Sequence, residues 1–219
     1  FRSYAKDDKS CEGYIIRIGS LSSGLSSIGM IQEIRNSLKE AKKDGKKIIV
    51  YLESWATLPE YYLASIADTI IIPELGSISH LGIKVQVKKT KTLLQNFGLE
   101  KVIVSSGVHK DLLNPASDKL TAFDRGYIED VVDSLYQQVL QEIESERDID
   151  VDDLMKAFDG RLIAARQAKE MGLVDELAYW SDVDEIIAGE MEEKKAVKSV
   201  DILEFLPEAP GRSILHPFN

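Results

Sequence analysis

Short branched apolar runs alternate with stretches of helical spacing along the first third of the chain. "GYIIRIG" (Gly13–Gly19) is branched, short and bounded by glycines, which predicts a buried strand. "SLSSGLSS" (Ser20–Ser27) reads as a small-residue turn. Ile28, Ile31, Ile34, Leu38 and Ala41 then fall on one stripe of an amphipathic helix, with a stop signal at Asp44-Gly45. "KIIVYLES" predicts a second strand, Tyr61–Ala67 a helix crossing back, and "TIIIPEL" (Thr69–Leu75) a third strand. This β-α-β-α-β order is that of a parallel sheet with helical crossovers.

Further on, the pattern predicts a short helix over Lys89–Gly98 and a fourth strand over "LEKVIVSSG" (Leu99–Gly107). The loop "VHKDLLNPASDK" is irregular. A long helix follows from about Leu120 to Glu146, with Phe123, Tyr127, Ile128, Val131, Leu135, Val139 and Ile143 as its buried stripe. Asp150–Gly160 reads as a helix with an acidic start, and "RLIAARQAKEMGLVDEL" as one more, stopped at Gly172 and followed by a short apolar edge. We read residues 1–12 as a loose segment, 13–188 as one domain, and 189–219, charged and then proline-containing, as a tail or linker to a further domain. The first residue is not Met, so an anchor or partner domain is expected outside this sequence.

Composition narrows the classes. Over 219 residues, 44% are hydrophobic and 29% charged, enough for a sizeable core. A net charge of -10 argues against nucleic acid as a partner, since phosphate binding needs a basic surface. The single Cys11 excludes an internal disulfide. No apolar run approaches the roughly 20 residues of a membrane span. His80, His109 and His216 are too scattered for a metal site, and the acidic run Glu142–Asp153 lacks the spacing and central glycine of an EF-hand loop. No cofactor is called for.

The corner Trp55-Ala56-Thr57-Leu58-Pro59-Glu60 joins a strand to a helix, a place where α/β proteins often hold their chemistry. Thr57-x-x-Glu60 has the form of a capping box, and proline suits the first helical turn. Leu58 is then the first helical residue, expected at the mouth of the turn, where a nucleophile would use the helix's free amides. Leucine can neither attack nor transfer a proton. Ser54, Ser65, Ser79, Ser105 and Ser106 are more simply read as caps than as nucleophiles, and Thr57 as the helix cap. Lys88, Lys89 and Lys91 form a small basic spot.

Several segments, in order, resemble the S49 serine peptidases, the family of signal peptide peptidase A and protease IV. "EYYLASIADTIIIPELGSISHLG" is similar to the stretch after that family's nucleophile, and "SSGVHKDLLNP" to its lysine loop. "FDGRLIAARQAKEMGLVDEL" is similar to its closing motif, through Gly160, Arg161, Gln167, Ala168, Gly172, Leu173, Val174 and Asp175. "SSGLSSIGMIQEIRNSLKEAKKDGKKIIVY" places Gly24 near the family's glycine-rich turn. The resemblance spans roughly Gly13 to Ile187. It implies an α/β fold of the Clp protease/crotonase type, a spiral of ββα units with a mostly parallel sheet.

The resemblance further implies a Ser/Lys dyad, in which a desolvated, neutral lysine takes the serine proton and backbone amides hold the oxyanion. Lys110 matches the general base. The serine position is Leu58, and the following Gly-Gly is Pro59-Glu60, so this copy lacks the nucleophile. Gly24, Leu58 and Pro59 remain as oxyanion or substrate-groove positions. Two readings follow. One is the lysine-bearing first half of a long tandem form, a membrane-associated endopeptidase of signal peptides whose serine comes from another domain or chain, with an oligomer expected. The other is an inactive member that binds or scaffolds. An acyl-CoA enzyme of the crotonase fold would need paired oxyanion amides and acidic catalytic residues, and no such pair is found. His109, beside Lys110, is read as packing.

Overall fold

The parallel sheet forms as the spacing predicts. The computed structural model describes residues 13–21, 25–102, 104–107, 109–116, 120–190 and 197–201. Its elements are β1 (Gly13–Ile18), α1 (Leu25–Lys43), β2 (Lys47–Leu52), β3 (Trp55–Ala56), α2 (Leu58–Ala64), β4 (Thr69–Ile72), β5 (Ser77–Ser79), α3 (Lys91–Asn96), α4 (Ala122–Glu146), α5 (Val151–Ala157), β6 (Leu162–Ala164), α6 (Ala165–Glu170), β7 (Glu176–Leu177), a 3₁₀ turn (Trp180–Asp182), α7 (Val183–Glu190) and β8 (Val197–Asp201). They divide into two units: one runs to Gly82 and resumes at Leu140, the other is Ile83–Val139.

In the first unit a five-stranded sheet has the order β7-β4-β2-β1-β8, with every neighbouring pair parallel. β1, β2 and β4 are buried on both faces, as strands of a covered parallel sheet are. Ile15, Ile49, Tyr51 and Ile71 pack with Val183 of α7. Ile16, Val50 and Ile70, at the alternate positions, are fully buried as well. α1 buries Ile31, Leu38 and Ala41 of its stripe, then ends at Gly45 in the left-handed region (φ 80°), a conformation glycine adopts without strain. β8 lies in the stretch read as a tail and pairs in parallel with β1, Gly13 opposite Val197.

A second, three-stranded sheet has the order β3-β5-β6, β3 parallel and β6 antiparallel to β5. Ala56, Ile78 and Ile163 face its buried side. Gly76 leads into β5 where only glycine fits: a Cβ there would come within 2.6 Å of the Ile72 side chain and 2.9 Å of the Pro73 carbonyl. The whole is an α/β, ClpP-like fold with a mostly parallel sheet.

The Ile83–Val139 unit holds α3 and most of α4. Here one expectation fails. The described residues of Leu99–Gly107 form no strand and stand exposed, Val104 at 95%. Branched residues favour a strand only when another strand pairs with them, and none does here among the described residues. The stripe predicted for α4 is likewise buried only at its C-terminal end. Val139 and Ile143 are covered, whereas Phe123 (67%), Tyr127 and Val131 are exposed.

Candidate functional site

The corner is shut by a carboxylate. Thr57 caps α2 in the extended conformation, and the capping box read from the sequence is formed. Glu60, only 2% exposed, accepts the Thr57 amide at 2.8 Å and the Thr57 hydroxyl through Oε2. Its Oε1 accepts the Leu21 amide at 2.5 Å. Three donors satisfy a carboxylate that would otherwise be costly to bury, and they tie the end of β1 to the start of α2. Leu58 is not at the mouth of the turn as expected. It is 4% exposed, because an apolar side chain in the first helical turn gains more from the core than from water. Pro59 is buried beside it. Gly24 lies outside the described residues, as does His216.

α2 is then fixed at both flanks. Arg35, buried on α1, donates to the Tyr62 carbonyl and to Ser65 Oγ (2.7 Å), with its guanidinium 4.3 Å from the Tyr62 ring centre. Burial pulls the Arg35 pKa down, against the opposing pull of Tyr62 and Glu142. The Tyr62 hydroxyl donates to Glu142 of α4 at 2.7 Å. Tyr61 donates to the Leu173 carbonyl at 3.0 Å. Burial pushes both phenols above their ordinary range. The closing motif acts through Asp175. Its carboxylate accepts the Ile70 amide at 2.7 Å and both terminal nitrogens of Arg147, at 3.0 and 2.8 Å. Arg147 also reaches the Gly172 carbonyl. Arg35 and Arg147 escaped the sequence reading, and Glu142 entered it only as the start of an acidic run. A charged residue on an apolar helical stripe, as Arg35 is between Ile31 and Leu38, is the signal that could have marked one of them.

Lys110 stands in the other unit, in a turn where its amide donates to the Gly107 carbonyl at 3.2 Å, and it is exposed. His109 packs, as expected, stacking on Phe123 (5.3 Å between ring centres) and Tyr127 (5.9 Å), with Nδ1 3.9 Å from an Asp124 oxygen. Lys89 braces the far side of this loop through the carbonyls of Leu112 and Asn114, both at 3.0 Å. The same unit contains a groove of about 670 Å³ between residues 84–87, which join neither sheet, and α4, with Ile128 and Val132 in its lining and Lys84, Arg125 and Glu129 charged around it. The serines behave as caps or relays: Ser65 donates to the Tyr62 carbonyl and Ser105 to that of Gly107.

No helix among the described residues is long and apolar enough to cross a membrane. Comparison with known proteins gives similarity to a protein of Enterococcus faecium that carries the name signal peptide peptidase SppA, 23% identical over 94% of this chain and 58% of that one. The chloroplastic serine protease SPPA of Arabidopsis thaliana is 23% identical over 89% of this chain and 28% of its own length. Protease 4 of Haemophilus influenzae is 21% identical over 95% and 35% respectively. The chain thus spans about three-fifths of the first relative and about a third of the other two. Peptidase family S49 matches residues 40–198, well over half of the chain, and the chain belongs to that family.

Proposed function

We propose that this chain is the lysine-bearing part of a Ser/Lys endopeptidase that cleaves signal peptides or other peptides, with Lys110 as general base and the serine supplied by another domain or chain. The observation that carries the reading is the corner itself. Leu58 fills the interior, Glu60 seals the turn with three hydrogen bonds, and the Thr57 hydroxyl is engaged with Glu60. A lysine serves as base only when neutral, and loss of solvent is what makes it so. Lys110 is exposed within this chain, so its enclosure must come from whatever packs on the Ile83–Val139 unit. A homo-oligomer or a serine-bearing domain would do that, and the exposed Val102, Val104, Phe123 and Tyr127 offer the apolar surface for it. The serine hydroxyl then gives its proton to the Lys110 amine as it attacks the peptide carbonyl, and the resulting ammonium returns the proton to the leaving amine. The peptide lies extended, and residues 84–87 along the groove supply backbone partners for it. Association with a membrane goes with a signal-peptide substrate, through a segment outside this chain.

The sealed corner also favours a second reading, an inactive family member that binds or scaffolds. One measurement separates them. Lys110→Ala in the complete protein should lower peptide cleavage by about 10²–10⁴-fold with little change in KM. Unchanged cleavage removes Lys110 as the base. A complete protein without cleavage in either form leaves the scaffolding reading.

A further inference from the structure

One face of the small sheet is core, and the other exposes two rings held in place. Trp55 alternates with the buried Ala56 on β3 and is 56% exposed. Its indole Nε1 lies 2.7 Å from Ser79 Oγ, and that oxygen lies 2.8 Å from Nδ1 of His80. Ser79 itself is fully buried. An indole N–H can only donate, so Ser79 Oγ accepts it. With the imidazole hydrogen on Nε2, the Ser79 hydroxyl donates to His80 Nδ1, the tautomer that gives this buried hydroxyl hydrogen a partner. One buried hydroxyl therefore orients both rings, whose centres are 6.1 Å apart and whose planes are tilted by 35°. His80 is also the one non-glycine residue with positive φ (53°) among the described residues. A side chain held there needs support from its surroundings, and such conformations gather at ligand clamps. Leu162, the register partner of Ser79, is exposed on the same face.

We propose that Trp55 and His80 form a subsite for an apolar side chain of an extended peptide, which lies on the indole while the adjacent peptide carbonyl accepts a hydrogen bond from His80 Nε2. The class of ligand rests on the peptidase reading above; the site rests on the rings. Its position suits the role. β3 ends the small sheet, with β5 on one side and no strand on the other among the described residues, and Trp55 precedes Leu58 by three positions. Both rings are anchored on the buried Ser79 hydroxyl, which lowers the entropic cost of binding.

The test uses two fluorescein-labelled hexapeptides, capped at the untagged end, one with leucine at alternate positions and the other with serine there. Each is titrated with the complete protein and read by anisotropy. The leucine peptide should bind about tenfold or more tightly than the serine peptide, as expected for covering one leucine side chain. Trp55→Ala should weaken the leucine peptide by about five- to tenfold and leave the serine peptide unaffected, His80→Ala should weaken both peptides because each offers the carbonyl, and Trp55→Phe should recover most of the affinity lost in Trp55→Ala. Ser79→Ala keeps both rings but frees them and should fall between. Thermal melting of each variant shows that the fold is intact. Equal affinity for the two peptides, no binding of the leucine peptide, or full affinity in both Trp55→Ala and His80→Ala overturns the subsite. Anisotropy reads binding without cleavage, so the dyad is judged separately. Weakened binding in Trp55→Ala with undiminished cleavage in Lys110→Ala would retain the subsite and remove the base.

Discussion

The two units of the chain treat their large apolar side chains in opposite ways. Up to Gly82 and from Leu140, most of the described isoleucines and leucines and both tyrosines of the corner helix are withdrawn from water, with Trp55, Leu75, Leu162 and Tyr179 among the exceptions. Between Ile83 and Val139 the described residues bury only Ala116 and Val139, while Leu93, Phe97, Val102, Val104, Leu113, Phe123 and Tyr127 are exposed. Leu58 and its corner belong to the first of these units, and Lys110 to the second. A stretch of this composition cannot hold its apolar residues in water without a partner surface or a marginal local stability. The difference therefore bears on the proposed dyad: the corner that carries Leu58 lies among buried side chains, and the turn that carries Lys110 lies among exposed ones, so under the proposed function it is Lys110 that needs a partner surface.

The sharpest way to break this contrast is a pair of leucines. Leu63→Ala, in a fully buried position on α2, should cost about 3 kcal/mol in urea unfolding, the sum of lost transfer energy and residual cavity. Leu93→Ala, exposed on α3, should stay within about 0.5 kcal/mol. Comparable losses would mean that Ile83–Val139 has a core of its own. If the complete protein assembles over this unit, Leu93→Ala should lower its assembly affinity without altering the unfolding of the dissociated chain.

Sequence and structure agree most closely where one residue's role is decided by its neighbours in the chain. The capping box at Thr57 and Glu60, the glycine stops at Gly45, Gly98 and Gly172, and the β1-α1-β2-α2-β4 alternation are all local in this sense. Leu99–Gly107 went wrong for the converse reason. Its branched residues have strand propensity, but a strand exists only by pairing, and pairing is a long-range fact. The stripe on α4 failed similarly, because periodicity reports which face is apolar and not whether anything covers it. Glu60 was legible as a cap but not as the acceptor of the Leu21 amide, 39 positions away. The Trp55–Ser79–His80 relay joins residues 24 positions apart and left no pattern in the sequence.

Asp175→Ala tests the clamp that closes the first unit. It leaves the Arg147 guanidinium, largely buried, without its two-point partner and frees the Ile70 amide. Asp175 is itself about a third exposed, so the loss belongs near the low end of the range for a broken buried pair, about 2–3 kcal/mol by urea unfolding. Asp175→Asn keeps an acceptor for Ile70 and should recover part of it. A loss below about 0.5 kcal/mol would show that the arginine hydrates freely once released, and that the closing motif is not what holds β4.

Glu60→Ala asks how far the corner acts alone. Removing the carboxylate leaves the Leu21 and Thr57 amides without their acceptor and should cost about 1–2 kcal/mol. The damage should remain in the first unit. Hydrogen exchange at the amides of Leu21 and Thr57 should quicken, while the turn holding Lys110 exchanges as before. Quickening at Lys110 to the same degree would join the two units into one cooperative body and erase the contrast.

The smallest effect is a matter of pH and belongs to the second unit. At the start of α4, Asp124 Oδ2 accepts the Thr121 amide at 3.0 Å and its hydroxyl at 2.8 Å, and the Asp124 amide donates back to that hydroxyl oxygen at 3.1 Å. These hydrogen bonds, the Thr121 amide foremost, hold the Asp124 carboxyl below its ordinary range, with His109 and Lys89 adding a weaker pull. A carboxyl depressed on folding contributes stability above its unfolded value, near 3.9, and that contribution disappears as pH falls through the lower folded value. Asp124 is only partly buried, so the change should be local. Amide protection in the first turn of α4 should fall on acidification below about pH 4, while the first unit's core amides keep theirs. Thr121→Val removes the hydroxyl and should move the Asp124 midpoint, read by carbonyl NMR, back toward that of an unfolded aspartate. A midpoint unmoved by Thr121→Val would mean that the cap is not what sets the charge of this carboxyl, and that the turn facing His109 and Lys110 is held by something other than the helix start.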